Sequence, residues 1–248
     1  MFTNRILISL IYFSTGFFIP VLSRFLMKFY PCSMHSYFGD ILKFYFNKKR
    51  RKQKLNKYKL NILKKQYLYN KLIWGCLYLI IFSLLEYLIY NYINKEYPLT
   101  LLFILLFLLG FASNIDSRCK LIPDIITFPF LMTSFLIASY TQNNNILSPI
   151  NISSLSSIYS AIGAYFLCFT LALIFYFKNP YSFGGGDVKL ISGISAFVGF
   201  GNLNWIFLIS FAIALILFLF KKERYVALAP LVFIATIIWL FIKILYNI

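Results

Sequence analysis

Apolar runs of membrane-spanning or near-spanning length fill most of the chain. They lie at roughly residues 6–27, 72–94, 98–115, 124–141, 157–177, 188–200, 203–220 and 225–246, separated by polar turns and one long basic segment. The sixth run is short and contains Gly193, Gly199 and Gly201. It either forms a half-helix or fuses with the seventh run across Gly201-Asn202. The pattern therefore predicts an all-α, polytopic integral membrane protein with about eight transmembrane helices, or seven or fewer if runs merge. The first run is not read as a cleaved signal peptide, because it is long, lacks a small-residue cleavage site and is followed by many cations. No internal repeat is evident.

Composition points the same way. The chain has 248 residues, 60% of them hydrophobic, and a mean hydropathy of +0.77. A soluble domain is nearer half apolar, so this chain has too little polar surface to cover a core in water. The abundance of Ile, Asn, Lys, Phe and Tyr fits compositional drift of a genome, so richness in Lys or Phe is discounted. The 24 Lys and Arg against 7 Asp and Glu give a charge of +17, and their positions carry the information. With the N-terminus outside and the runs alternating, 21 of the 24 cations fall on the cytoplasmic side, 14 of them within residues 24–71. Only Arg5, Lys95 and Lys243 fall outside, and the long outer loop TQNNNILSPINISS carries no charge. This satisfies the positive-inside rule at every turn. The run KKRRKQKLNKYK then faces the anionic lipid bilayer, and no nucleic-acid partner is expected. Residues 1–71 read as a first span plus a basic cytoplasmic loop, and residues 72–248 as a membrane domain.

The seven carboxylates are Asp40, Glu86, Glu96, Asp116, Asp124, Asp187 and Glu223. Asp40 and Glu223 belong to cytoplasmic loops, Glu96 to a short outer loop, and Glu86 lies inside the second span. Asp116, Asp124 and Asp187 fall at cytoplasmic ends of spans, where an ionisable group is a functional candidate. Asp124 follows Pro123 and suits a helix N-terminus. Asp187 follows Gly184-Gly185-Gly186, and the glycines would let a backbone or ligand approach closely. An Asp directly after the glycines, without the GxxxxGK[ST] order, argues against a phosphate loop. Two carboxyls held close at a wet membrane edge cannot both ionise easily. The charged one can deprotonate a water while the protonated one polarises a carbonyl. That is aspartic peptide hydrolysis, although two membrane aspartates also serve proton-coupled transporters.

A resemblance narrows the choice. NIDSRCKLIPDIIT (114–127) resembles the D-x-x-x-x-x-I-P-D-x-x-T stretch of the type IV prepilin peptidases, and FGGGDVKLISGISAFVG (183–199) resembles their G-x-G-D-V-K-L-L-A-A-x-G-A-x-x-G stretch. GFFIPVLSR (16–24) and ALAPLVFIATI (227–237) are fainter versions of the first-span and last-span motifs. The resemblance implies a multi-pass protein of the bacterial inner membrane, acting on its cytoplasmic side. It implies a membrane aspartic endopeptidase that removes short basic leaders from prepilin-like or pseudopilin precursors. By motif position the catalytic residues are Asp116 and Asp187, with Asp124, Gly184, Gly186, Lys189 and Arg118 supporting. Relatives that also N-methylate the new terminus usually carry two Cys-x-x-Cys pairs, which make a four-thiolate zinc site. Here Cys32, Cys76, Cys119 and Cys168 are scattered, so no metal is expected and methylation stays open. Proteolysis needs no cofactor; S-adenosylmethionine enters only if methylation is retained.

Cys119 reads as a small reduced side chain, and His35 as an ordinary loop histidine. Arg118, Lys120 and Lys189 either enforce topology or contact an acidic group, Asp116 or one of the substrate's. Three readings follow: a prepilin-type peptidase, a proton-coupled transporter, and a scaffold that binds pilin-like helices without cutting them.

Overall fold

The computed structural model describes residues 2–29, 57–92, 99–120, 122–143, 153–178, 184–221 and 227–246. Among them every regular element is a helix. In chain order these are α1 (Phe2–Phe29), α2 (Lys57–Tyr92), α3 (Leu99–Cys119), α4 (Asp124–Asn143), α5 (Ser154–Lys178), α6 (Gly185–Val198), α7 (Phe200–Lys221) and α8 (Leu228–Tyr246). Six contain stretches long and apolar enough to cross a membrane: Lys71–Ile89, Leu99–Ser117, Asp124–Gln142, Ser154–Ile174, Phe200–Leu219 and Leu228–Leu245. α1 holds a shorter apolar stretch, Leu10–Leu26.

Each predicted run is matched by a helix, with two differences. α2 begins at Lys57, within the segment expected to be a loop. The sixth run is a half-helix and does not fuse with the seventh. The chain breaks at Gly199, two residues before the expected joint. Its φ of 82° is open to glycine and costly for other residues. The Gly199 N–H donates to the Ser195 carbonyl at 2.8 Å, and α7 starts at the next residue.

The chain forms two compact units, Met1–Leu79 and Ile80–Ile248. In the first, α1 and the early part of α2 pack backbone to backbone. A Cβ on Gly16 would lie 2.5 Å from the Trp74 carbonyl, and one on Gly75 would lie 2.9 Å from the Phe13 ring.

The second unit is organised around α6. It packs against α4, α5, α7 and α8, while α3 packs against α4 and α8. At 14 residues α6 is about 21 Å long, short of the roughly 30 Å of a bilayer core. It is buried along its length from Val188, with only Lys189 partly exposed. A helix sealed on all sides must satisfy its polar side chains within the protein, and α6 does so against α5. Ser192 Oγ donates to the Ala161 carbonyl at 2.8 Å, and Ser195 Oγ to the Ser160 carbonyl at 2.9 Å. In return Ser157 Oγ donates to the Ala196 carbonyl at 2.6 Å. Ser160 Oγ also accepts the Phe200 N–H at 3.2 Å, which ties the start of α7 to the same helix. Such interhelical bonds are worth about 0.6–2 kcal/mol each inside a membrane protein.

On its other side α6 meets α4 through Gly193. A Cβ there would sit 2.6 Å from the Phe130 ring, which is itself fully buried. Gly193→Ala is expected to destabilise by about 1–3 kcal/mol, since the ring has nowhere to move. Gly201→Ala, where a Cβ meets nothing within 4 Å, is expected to leave stability equal or higher. Thermal unfolding of the two purified variants in one detergent checks the contrast.

Candidate active site

Asp116 lies in the last turn of α3, one residue inside the end of its apolar span. α3 ends at Lys120, whose φ of 52° is left-handed and whose N–H donates to the Asp116 carbonyl at 2.8 Å. This closes the last turn in the manner of an αL cap. The Asp116 side chain is buried, and its Oδ2 accepts the Ala229 N–H at 2.9 Å. Ala229 is the second residue of α8. A carboxylate from α3 thus occupies the amide-rich, positive end of α8, across a sequence separation of 113 residues.

Asp187 is the third residue of α6. Its Oδ2 accepts the Gly184 N–H at 3.0 Å, while its own N–H donates to the Gly184 carbonyl at 3.0 Å. Asp187 therefore caps α6, which does not exclude a second role. Asp187 lies outside the candidate spans. Burial pushes its carboxyl up from 3.8 to about 6, the Gly184 hydrogen bond pulls the other way, and the Asp116 charge adds to the rise. The charge of Asp116 is thus felt at Asp187.

The three glycines differ in what lies beside them. A Cβ on Gly186 would stand 2.6 Å from the Ile122 carbonyl and 3.0 Å from Ile122 Cβ. Gly186 therefore lets the first turn of α6 press onto the backbone joining α3 to α4. The space beside Gly184 is taken by its partner Asp187 Oδ2, at 3.3 Å, and only Gly185 borders open space.

Asp124 opens α4 just after Pro123, whose carbonyl accepts the Ile126 N–H at 3.0 Å. Its carboxylate reaches across to α6, where Lys189 Nζ lies 2.7 Å from Oδ1. The pair is exposed, with side-chain accessibilities of 43% for Lys189 and 71% for Asp124. Lys189 thus pairs with a carboxylate on α4, an acid that neither of its readings had named. The Arg118 side chain lies outside the described residues, as do Cys32, His35, Asp40, Glu96 and Glu223. Glu86 is half-buried in the Lys71–Ile89 span. Cys119 is disulfide-bonded, which corrects its reading as a reduced thiol; Cys76 and Cys168 are free. Among the described residues no three His, Cys, Asp or Glu side chains cluster to hold a metal ion.

Sequence reasoning missed the Leu228–Ala229 amides, the Ile122 backbone and the serine ties between α5 and α6. Backbone groups carry no sequence signature. The spacing of Ser157, Ser160, Ser192 and Ser195 was visible, but serines in an apolar run point equally well to helix-internal bonds, as Ser134 shows by donating to the Phe130 carbonyl at 2.9 Å.

Among the described residues, eight helices, six of them long and apolar enough to cross a membrane, define a polytopic all-helical membrane protein, in which the charge of Asp116 is felt at Asp187. Residues 100–219, a stretch that contains both carboxylates, match the type IV leader peptidase family. The match covers just under half of the chain. The chain is similar to a prepilin leader peptidase/N-methyltransferase of Vibrio cholerae serotype O1, at 30% identity over 142 residues. The similarity covers 55% of this chain and 53% of the relative, so the chain matches about half of that protein's length. No solved structure matches the chain.

Two outcomes are expected. Gly186→Ala forces the α6 turn off Ile122 and costs about 1–3 kcal/mol, while Gly185→Ala costs little; thermal unfolding distinguishes them. The second concerns pH. A raised carboxyl pKa favours the folded state most when protonated, so the Asp187 contribution is full below 3.8 and is lost as pH rises through about 6. The thermal midpoint of the wild type should therefore fall relative to that of Asp187→Asn across this window.

Proposed function

We propose that the protein is a membrane aspartic endopeptidase, with residues 72–248 as its catalytic domain. In this reading it removes the leader of prepilin-like or pseudopilin precursors at the cytoplasmic face of a bacterial inner membrane, with the N-terminus outside. The observation that carries the reading is the coupling of Asp116 and Asp187, two carboxyls from different helices held at one junction. The family match over residues 100–219 and the activity for which the Vibrio cholerae relative is named support the same reading.

The chemistry follows from two carboxyls sharing one proton. The ionised carboxylate takes a proton from a water as its oxygen attacks the scissile carbonyl carbon. The protonated carboxyl gives its proton to the carbonyl oxygen, forming a tetrahedral diol. On collapse of the diol the C–N bond breaks, the nitrogen receives the proton held by the first carboxyl, and a diol hydroxyl returns the other proton. Carboxylic acid, water and both peptide fragments are then accounted for. The α8 amide on Asp116 and the Gly184 amide on Asp187 hold the two groups in place between steps. Asp124 and Lys189 support the site from its rim. The proposal covers proteolysis alone, which asks for no cofactor; S-adenosylmethionine would be needed only by a retained methyltransferase.

The test is leader removal, followed by gel shift in membranes containing the protein and a pilin-like precursor. Asp116→Asn and Asp187→Asn keep size and polarity but cannot cycle a proton. With equal insertion, each is expected to lose about a thousandfold or more in rate. Cleavage that persists in either variant would refute the carboxylate pair, and a scaffold that only binds helices would retain binding in both.

A further inference from the structure

We propose that Asp124 is the residue that recognises a cationic side chain of the leader, and that Lys189 is a built-in competitor which the leader displaces. This deepens the peptidase reading and rests on it for the identity of the peptide.

The first observation is charge. The chain carries +17, so acceptors for a peptide cation are few. The carboxylates among its described residues are Glu86, Asp116, Asp124 and Asp187. Asp116 is buried and coupled to Asp187, and Glu86 belongs to the α2 span. Asp124 is the exposed acid at the junction of α3, α4 and α6.

The second is position. Ile122, two residues before Asp124, is the backbone against which Gly186 presses. Lys189 follows Asp187 by two residues, a rise of about 3 Å along α6. The ion pair therefore belongs to the same two chain segments that present the carboxyl pair. A peptide whose scissile bond lies between Asp116 and Asp187 passes this rim.

The third is energetic. An ion pair this exposed contributes little, because water screens it and two side chains must be held still. Exchanging the Lys189 ammonium for one from a peptide conserves the number of ion pairs, and the released Lys189 returns to water. Asp124 sits in the first turn of α4, where the helix end favours negative charge with or without Lys189. The carboxylate is thus kept in place while its partner is replaced.

A structural ion pair and an exchangeable one make opposite demands on the two residues. If the pair only braces α4 against α6, removing either partner has the same effect. If Lys189 competes with the leader, the two removals act in opposite directions. The experiment is equilibrium binding to the full chain in nanodiscs, in an Asp187→Asn background so that nothing is cut. The probes are a synthetic peptide with a lysine-bearing leader and an apolar helix, and its Lys→Gln counterpart. Asp124→Asn is expected to weaken binding of the lysine peptide about two- to five-fold, and Lys189→Met to tighten it by a similar factor. Neither should change binding of the Gln peptide. Replacing leader lysines singly should confine the coupling with Asp124 to one position, whereas a long-range field would spread it over all. Shifts in the same direction, equal shifts with both peptides, or no binding of the lysine peptide by the parent protein would overturn the proposal. Thermal unfolding of each variant separates misfolding from a binding change. Opposite shifts with a precursor that the wild type never cuts would leave the recognition standing and remove the catalytic reading.

Discussion

The contact between Gly186 and the Ile122 carbonyl is the constraint on which the site depends. A Cβ at 2.6 Å from that oxygen has no room, so the first turn of α6 meets the α3–α4 connection only if residue 186 is glycine. That approach brings the third residue of α6 to the end of α3. It sets Lys189 within reach of Asp124, and it places Asp187 within the electrostatic influence of Asp116. The rest of the second unit holds this junction closed: serine ties to α5 on one side, Gly193 against Phe130 on the other, and a break at Gly199 that frees α6 from α7.

Both central carboxyls are also helix caps. Asp187 satisfies the Gly184 amide at the start of α6, and Asp116 satisfies the Ala229 amide at the start of α8. In a low-dielectric bundle each unmet amide is costly, so the arrangement answers two needs at once. The helix ends obtain acceptors, and the carboxyls obtain fixed orientations without a dedicated set of side-chain partners. Burial works against ionisation while the amides favour it, and the balance leaves Asp187 near 6. A group so placed changes charge close to neutral pH, as a proton-transfer role requires.

Much was legible in the chain before folding. The apolar runs located the eight helices among the described residues, because in a membrane protein the length of an apolar run is a direct physical requirement. Asp116, Asp124 and Asp187 stood out because acids are scarce in so apolar a chain, and Lys189 through the motif that holds Asp187. The half-helix was foreseen as an alternative from its shortness and its glycines.

Only the tertiary structure decided what those residues do to one another. Gly186 read as room for a backbone or ligand, and the structure shows which backbone it meets, that of Ile122. Lys189 had two readings, and its partner emerged 65 positions earlier in the chain. The amide that holds Asp116 belongs to Ala229, a residue with no polar side chain to draw notice. These are long-range contacts of main-chain atoms and glycines, and nothing in the side-chain pattern encodes them. Sequence by itself determined which segments enter the membrane and which acids stay among them, since both follow from the cost of moving local groups out of water. The folded arrangement decided which acid meets which amide and which cation, since that depends on how closely two backbones approach.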